Sequence, residues 1–118
     1  MVQGIILYNI ELDGCLNGVY TNDYNDGIIF NEVAKLRPDS RNDRDSSSGI
    51  TGTYDCFYFD KPSLRNNTEL KIKLAQGMKG RYEFVWRDER NRVIFEGVGY
   101  IMNQRQIAVH YKQIDSIQ

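Results

Sequence analysis

The chain has 118 residues, enough for one domain around one core and too few for a second. Hydrophobic residues make up 41% and charged residues 26%, which is ordinary globular composition and argues against a disordered chain or a membrane protein. With 15 basic against 16 acidic side chains the formal charge is -1, so no net field draws the chain to nucleic acid or to an anionic membrane, and neither is expected as a partner.

The opening, "MVQGIILYNIELDG", meets polar residues almost at once, so it predicts neither a signal peptide nor a transmembrane helix. A cytoplasmic location is the corresponding expectation. The first extended run is "QGIILYNIEL" and the second is "CLNGVYTN", in which Tyr20 and Asn22 share a face, with a turn over residues 23–27 beyond it. A third run, "GIIFNEVAKL", reads as a strand, although Ile28, Ile29, Val33 and Leu36 also fit one face of a short helix. Next comes "RPDSRNDRDSSSG", residues 37–49, where Pro, Asp, Asn and Ser crowd together with charges of both signs. This predicts a flexible loop, either a solvated connection or a lid over a site.

The fourth run, "GITGTYDCFYFD", leaves its inward face open, because Phe57 and Phe59 compete with Tyr54, Cys56 and Tyr58 for the interior. In "TELKIKLA", Leu70, Ile72 and Leu74 fall on one face and Lys71 and Lys73 on the other. The sixth run, "GRYEFVWRD", puts Tyr82, Phe84 and Trp86 inward and Arg81, Glu83 and Arg87 toward water. Short turns at "RDERNR" and "NQR" connect it to "NRVIFEGVGYIM" and then to "RQIAVHYKQI", predicting hairpins. Val93, Phe95 and Gly97 share a face in the seventh run, and His110 points outward in the eighth. Cys15 and Cys56 are expected as two reduced, buried thiols. Eight Tyr with 2 Pro and 10 Gly suit such a chain. The fold expected is therefore a single all-β domain over residues 1–118. Its sequential hairpins favour an eight-stranded antiparallel up-and-down barrel over a two-sheet sandwich.

Four fragments in order, "LNGVYTND", "TGTY", "FVW" and "FEG", resemble the avidin and streptavidin family of small calycin barrels, over about residues 16–112. Gly18-Val19-Tyr20 stands where that family has Gly-x-Trp, and Thr51-Gly52-Thr53-Tyr54 matches its Thr-Gly-Thr-Tyr. The resemblance implies an avidin/lipocalin-like barrel that binds a small, biotin-like molecule and assembles as a homo-oligomer. It implies that Asn22 and Tyr54 hydrogen-bond a ureido head and that Trp86 and Phe95 wall the ring system. Asp26 would stand at the place of a Ser that binds the same head, where a carboxylate would repel a carbonyl acceptor unless protonated. Tyr111 would occupy the place of one of the family's pocket tryptophans, of which this chain keeps only Trp86. The family's last strand has no counterpart after "HYKQIDSIQ", leaving "QGIILYNIEL" to close the barrel.

An interior with several Tyr and an Asn must satisfy its polar groups, each costing roughly 1 to 3 kcal/mol if buried unpaired. They either bond one another in a filled barrel or await a polar ligand in an aromatic cavity. The first outcome would make the chain a structural or protein-interaction module working through outer aromatics such as Tyr58 and Tyr100. The second would make it a carrier. One His, two Cys and the absence of "GxSxG", "HExxH" or paired CxxC spacing give no catalytic motif, no metal set and no cofactor, so an enzyme is not expected. Asp39, Asp43 and Asp45 lack the Gly and terminal Glu of an EF-hand, and Asn66-Asn67-Thr68 is a glycosylation sequon in form only.

Overall fold

Alternating inward and outward side chains bury one face of every strand, and eight such strands in sequence can hide that face only by curling on one another. The computed structural model describes residues 2–23, 29–38, 50–61, 64–77, 80–103 and 105–114. Its strands are β1 (Gln3–Ile10), β2 (Leu16–Asn22), β3 (Phe30–Leu36), β4 (Gly52–Lys61), β5 (Leu64–Leu74), β6 (Arg81–Arg87), β7 (Val93–Asn103) and β8 (Gln106–Gln113). Each pairs antiparallel with the next, and β1 also pairs with β8, Ile6 opposite Val109, so the sheet is a closed barrel without a free edge.

The run "GIIFNEVAKL" is a strand from Phe30 onward rather than a helix. The helical reading counted Ile28 and Ile29 as core, but Ile28 lies outside the described residues and Ile29 is 66% exposed. The period-two set of Glu32, Ala34 and Leu36 is the one that turns inward. In β4 the parity left open by the sequence falls to Tyr54 and Cys56, both fully buried, while Phe59 faces out and Phe57 lies under the Lys35 ammonium. Leu70 and Ile72 are buried as their alternation predicts, whereas Leu74, at the barrel rim, is exposed. Cys15 and Cys56 are both free thiols, but only Cys56 is buried; Cys15 is half-buried beside the β1–β2 turn.

Of the loop assigned to residues 37–49, only Arg37 and Pro38 lie within the described residues. Arg37 is tied to the sheet: its Nε lies 2.9 Å from an Asp55 carboxylate oxygen, its Nη1 3.1 Å from Glu69, and its backbone N–H reaches the Thr53 carbonyl. The β6–β7 turn is held by Asp88, whose Oδ1 accepts from the backbone N–H groups of Arg90 and Arg92 while Asn91 takes a positive φ of 64°.

One end of the barrel is packed solid. Leu16, Ile50, Tyr54, Leu70, Ile72 and Ile107 have almost no accessible surface there, and the Tyr54 hydroxyl donates to the Ile50 carbonyl at 2.7 Å.

Two glycines decide what happens inside the wall formed by β8, β1, β2 and β3. Gly18 is paired with Tyr8 on one side and with Glu32 on the other, and it faces inward. Having no side chain, it lets the Tyr8 ring cross a whole strand and donate its hydroxyl to the Glu32 carboxylate. Gly4 repeats the device, flanked by Asn22 and Tyr111, and the Asn22 Nδ2 donates across it to the Tyr111 hydroxyl at 2.9 Å. A Cβ on Gly18 would sit 2.8 Å from the Tyr8 ring, and one on Gly4 would sit 2.7 Å from the Tyr111 oxygen. Gly18→Ala is therefore expected to destabilise the fold by about 1 to 3 kcal/mol, the usual cost of overpacking. A urea denaturation curve superimposing on that of the wild type would show that Tyr8 does not need the space.

Candidate functional site

The other half of the barrel is not filled. A cavity of about 340 Å³ opens at the end where β1 begins and β8 finishes, lined by Tyr20, Asn22, Glu32, Tyr58, Trp86, Phe95 and Tyr111, with Val2, Ile6 and Gln113 completing its wall. Its size lies within the roughly 300–1,000 Å³ of small-molecule sites.

Four of these rings form a closed cycle. Tyr20 meets Tyr58 at a centroid distance of 6.2 Å and an interplanar angle of 83°, and Tyr58 meets Phe95 at 6.4 Å and 84°. Phe95 meets Tyr111 at 5.6 Å and 82°, and Tyr111 returns to Tyr20 at 6.5 Å and 74°. Each ring thus stands nearly perpendicular to the next, like the walls of a box. Edge-to-face contacts of this kind set the positive rim of one ring against the negative face of another, and each contributes about 0.5 to 1.5 kcal/mol beyond burial. Trp86 continues the system, 6.0 Å from Tyr111 and 5.8 Å from Phe84, which in turn stacks on Tyr8 at 6.1 Å.

The Tyr20 hydroxyl donates to the Phe59 carbonyl, and that of Tyr111 receives the Asn22 amide. Burial pushes the Tyr111 phenol up to about 12, helped by the charges of Glu32 and Asp23 and opposed by the Asn22 hydrogen bond.

Glu32 is the acidic group on the cavity wall, and it is only 4% exposed. Tyr8 and the Cys56 thiol both donate to its carboxylate. The Trp86 indole N–H lies close enough to favour the charged form, yet it makes no hydrogen bond of its own. Among the described residues no Lys, Arg or His pairs with Glu32 or lines the cavity. Desolvation therefore dominates and raises the Glu32 pKa from 4.5 to about 7, against the lowering effects of Cys56 and Trp86. The Cys56 thiol is pushed up as well, first by burial and then by the neighbouring carboxylate, which keeps it protonated and unreactive.

Of the residues singled out in the sequence, Asn22, Trp86, Phe95 and Tyr111 come together around the cavity. Tyr54 does not join them. It faces inward, but near the start of β4, where its hydroxyl closes the packed end; the β4 residue at the cavity is Tyr58. Tyr58 is thus a cavity wall rather than an outer aromatic, whereas Tyr100 is half exposed on the outside. Asp26 lies outside the described residues, as does most of the turn over residues 23–27. His110 is exposed on the outer wall. Glu32 was missed, although a signal exists: it shares parity with Phe30, Ala34 and Leu36, so a strand burying those three must bury the acid too. Among the described residues no three His, Cys, Asp or Glu side chains gather as a metal site.

Comparison of the chain with protein-family models, with curated proteins and with solved structures found no match. The class defined here is accordingly the architecture itself: an eight-stranded antiparallel barrel, packed at one end and hollow at the other.

The raised Glu32 pKa has a thermodynamic consequence. The folded chain holds that proton more tightly than the unfolded chain does, so the contribution of Glu32 to stability is full below pH 4.5 and is lost as the pH rises to about 7. The fall amounts to about 3 kcal/mol at 1.36 kcal/mol per pKa unit. Glu32→Gln keeps an acceptor for Tyr8 and removes the titration. Urea denaturation of both proteins between about pH 4 and about pH 8 is expected to show the wild type losing roughly that much relative to the variant. A stability difference between the two that does not change with pH would contradict the burial of an ionisable Glu32.

Proposed function

We propose that this barrel is a small-molecule carrier whose ligand enters the open end and lies against the aromatic box, with Asn22, Trp86, Phe95 and Tyr111 among its contacts. The observation that carries this reading is the cavity of about 340 Å³ in a barrel whose other half is packed without space. Filling it with side chains would have cost nothing chemically, since apolar residues of ordinary size already do so at the packed end. The lining also has the composition of a ligand site, mostly aromatic with a few polar groups at fixed positions. A cyclic urea such as biotin remains a candidate through the sequence resemblance, and Asn22 at the rim is suited to its polar head. No part of the proposed role requires a catalytic residue or a cofactor.

A second reading draws on the outer wall. Val19, Leu7, Ala108 and Tyr100 lie in one row across β2, β1, β8 and β7, with Ile5 and Met102 beside them, and this apolar surface faces solvent. It supports a barrel that works through its outside, as a homo-oligomer or an interaction module.

Trp86 is the sole tryptophan, stands in the cavity wall and reports on it directly. Titration with biotin and a panel of small neutral heterocycles is expected to change its emission for at least one of them. Asn22→Ala should then weaken that ligand by about tenfold, the worth of one hydrogen bond. An emission unchanged by this panel and by organic cations of similar size, in a protein that folds normally, would remove the carrier reading and leave the outer wall as the working surface.

A further inference from the structure

A carrier cavity with this lining makes a choice of ligand charge. The acid sits at the wall, beside a cycle of four aromatic rings, with no cationic side chain among the described residues to balance it. Around the carboxylate the protein has arranged donors only: the Tyr8 hydroxyl, the Cys56 thiol and the adjacent Trp86 N–H. Donors favour the ionised form of an acid without neutralising it, so the buried carboxylate is left without a counter-charge. Removing a carboxylate from water without a counter-charge costs several kcal/mol, and a proton or a bound cation can supply what is missing.

The rings point the same way. The faces of aromatic rings carry negative charge and attract a cation within roughly 6 Å of the centroid, more strongly where water is excluded. Successive centroids of the box lie 5.6 to 6.5 Å apart, so a group seated among them is within that range of several rings at once. A neutral ligand would gain the burial and at most a hydrogen bond to the acid, leaving its charge unbalanced. A carboxylate or phosphate ligand would be repelled by it.

We propose that the ligand is a small organic cation, an ammonium-bearing molecule whose charged nitrogen is held between the Glu32 carboxylate and the box of Tyr20, Tyr58, Phe95 and Tyr111. This rests on the carrier reading and specifies its substrate class. The hydrophobic part of such a molecule lies against Trp86 and Phe95, and a hydroxyl at its far end reaches the Asn22–Tyr111 pair at the rim.

The test uses two pairs of probes matched in shape and differing in charge: choline with 3,3-dimethylbutan-1-ol, and 2-phenylethylammonium with 2-phenylethanol. Trp86 emission and isothermal calorimetry are read on the intact chain near pH 8, where Glu32 is mostly ionised. The expected result is that at least one cation binds about tenfold or more tightly than its neutral partner. Glu32→Gln should reduce that preference by weakening the cation, and its circular dichroism should match the wild type. Because the variant keeps the shape of the wall, Tyr58→Leu serves as a second probe. Opening one side of the box should weaken both cations more than the alcohols. Alcohols that bind as tightly as the cations in both pairs would overturn the proposal and leave a neutral carrier. Heterocycles that bind when none of the four probes does would overturn it in the same way. Silence of all four probes and of the heterocycle panel together would overturn the carrier reading as well.

Discussion

The pairing of β1 with β8 is the constraint from which the rest follows. Once the sheet is closed, no strand can slide by a single residue without turning its entire apolar set to water, so inside and outside are fixed for every position at once. Glu32 is drawn into the interior by this logic rather than by any preference of its own. Its neighbours Ala34 and Leu36 must be buried, and the acid shares their face. The protein accommodates it with Tyr8, brought across Gly18 from two strands away, and with the Cys56 thiol. These contacts satisfy part of the carboxylate and leave its charge unbalanced.

The two ends of the barrel show opposite solutions to the same packing problem. At one end a tyrosine hydroxyl is used up on a nearby carbonyl, Tyr54 on Ile50, and branched aliphatic residues fill what remains. At the other, the large side chains are aromatic and lean on one another edge to face. Flat rings braced at right angles make stiff walls but cannot interdigitate as leucine and isoleucine do, so a space persists between them. The register shift between Trp86 and Arg87 lies beside this hollow end and interrupts the β6–β7 ladder next to a cavity residue. Gly4 contributes at the rim, where its missing side chain lets Asn22 and Tyr111 meet.

Much of this was legible in the sequence, because period-two alternation is strong in β5, β6 and β8 and the hairpin turns at residues 88–92 and 103–105 are short. Eight strands in sequence then leave closure as the economical arrangement. Parity also identified the inward faces that carry Asn22, Trp86 and Phe95. What parity does not contain is depth along the barrel axis. Tyr54 and Tyr58 point the same way, yet one seals the packed end and the other walls the cavity, since four residues of strand span about 13 Å. Glu32 escaped notice for a different reason: acids are read as surface residues by default, and in "GIIFNEVAKL" the rival helical face of Ile28, Ile29, Val33 and Leu36 hides the strand face that carries it. The register across Gly4 depends on β1 meeting β8 from the other end of the chain, and that across Gly18 on how two successive hairpins align, which no single run of residues displays.

Glu32 is an ionisable group held away from water against an aromatic cavity. The most direct measurement is the titration of its side-chain carboxyl carbon by 13C NMR in the free protein, assigned by comparison with Glu32→Gln. A midpoint near 7 is expected from desolvation by the barrel interior. A midpoint at the ordinary value of 4.5 would mean that the carboxylate is hydrated, and the buried charge at the centre of this account would not exist.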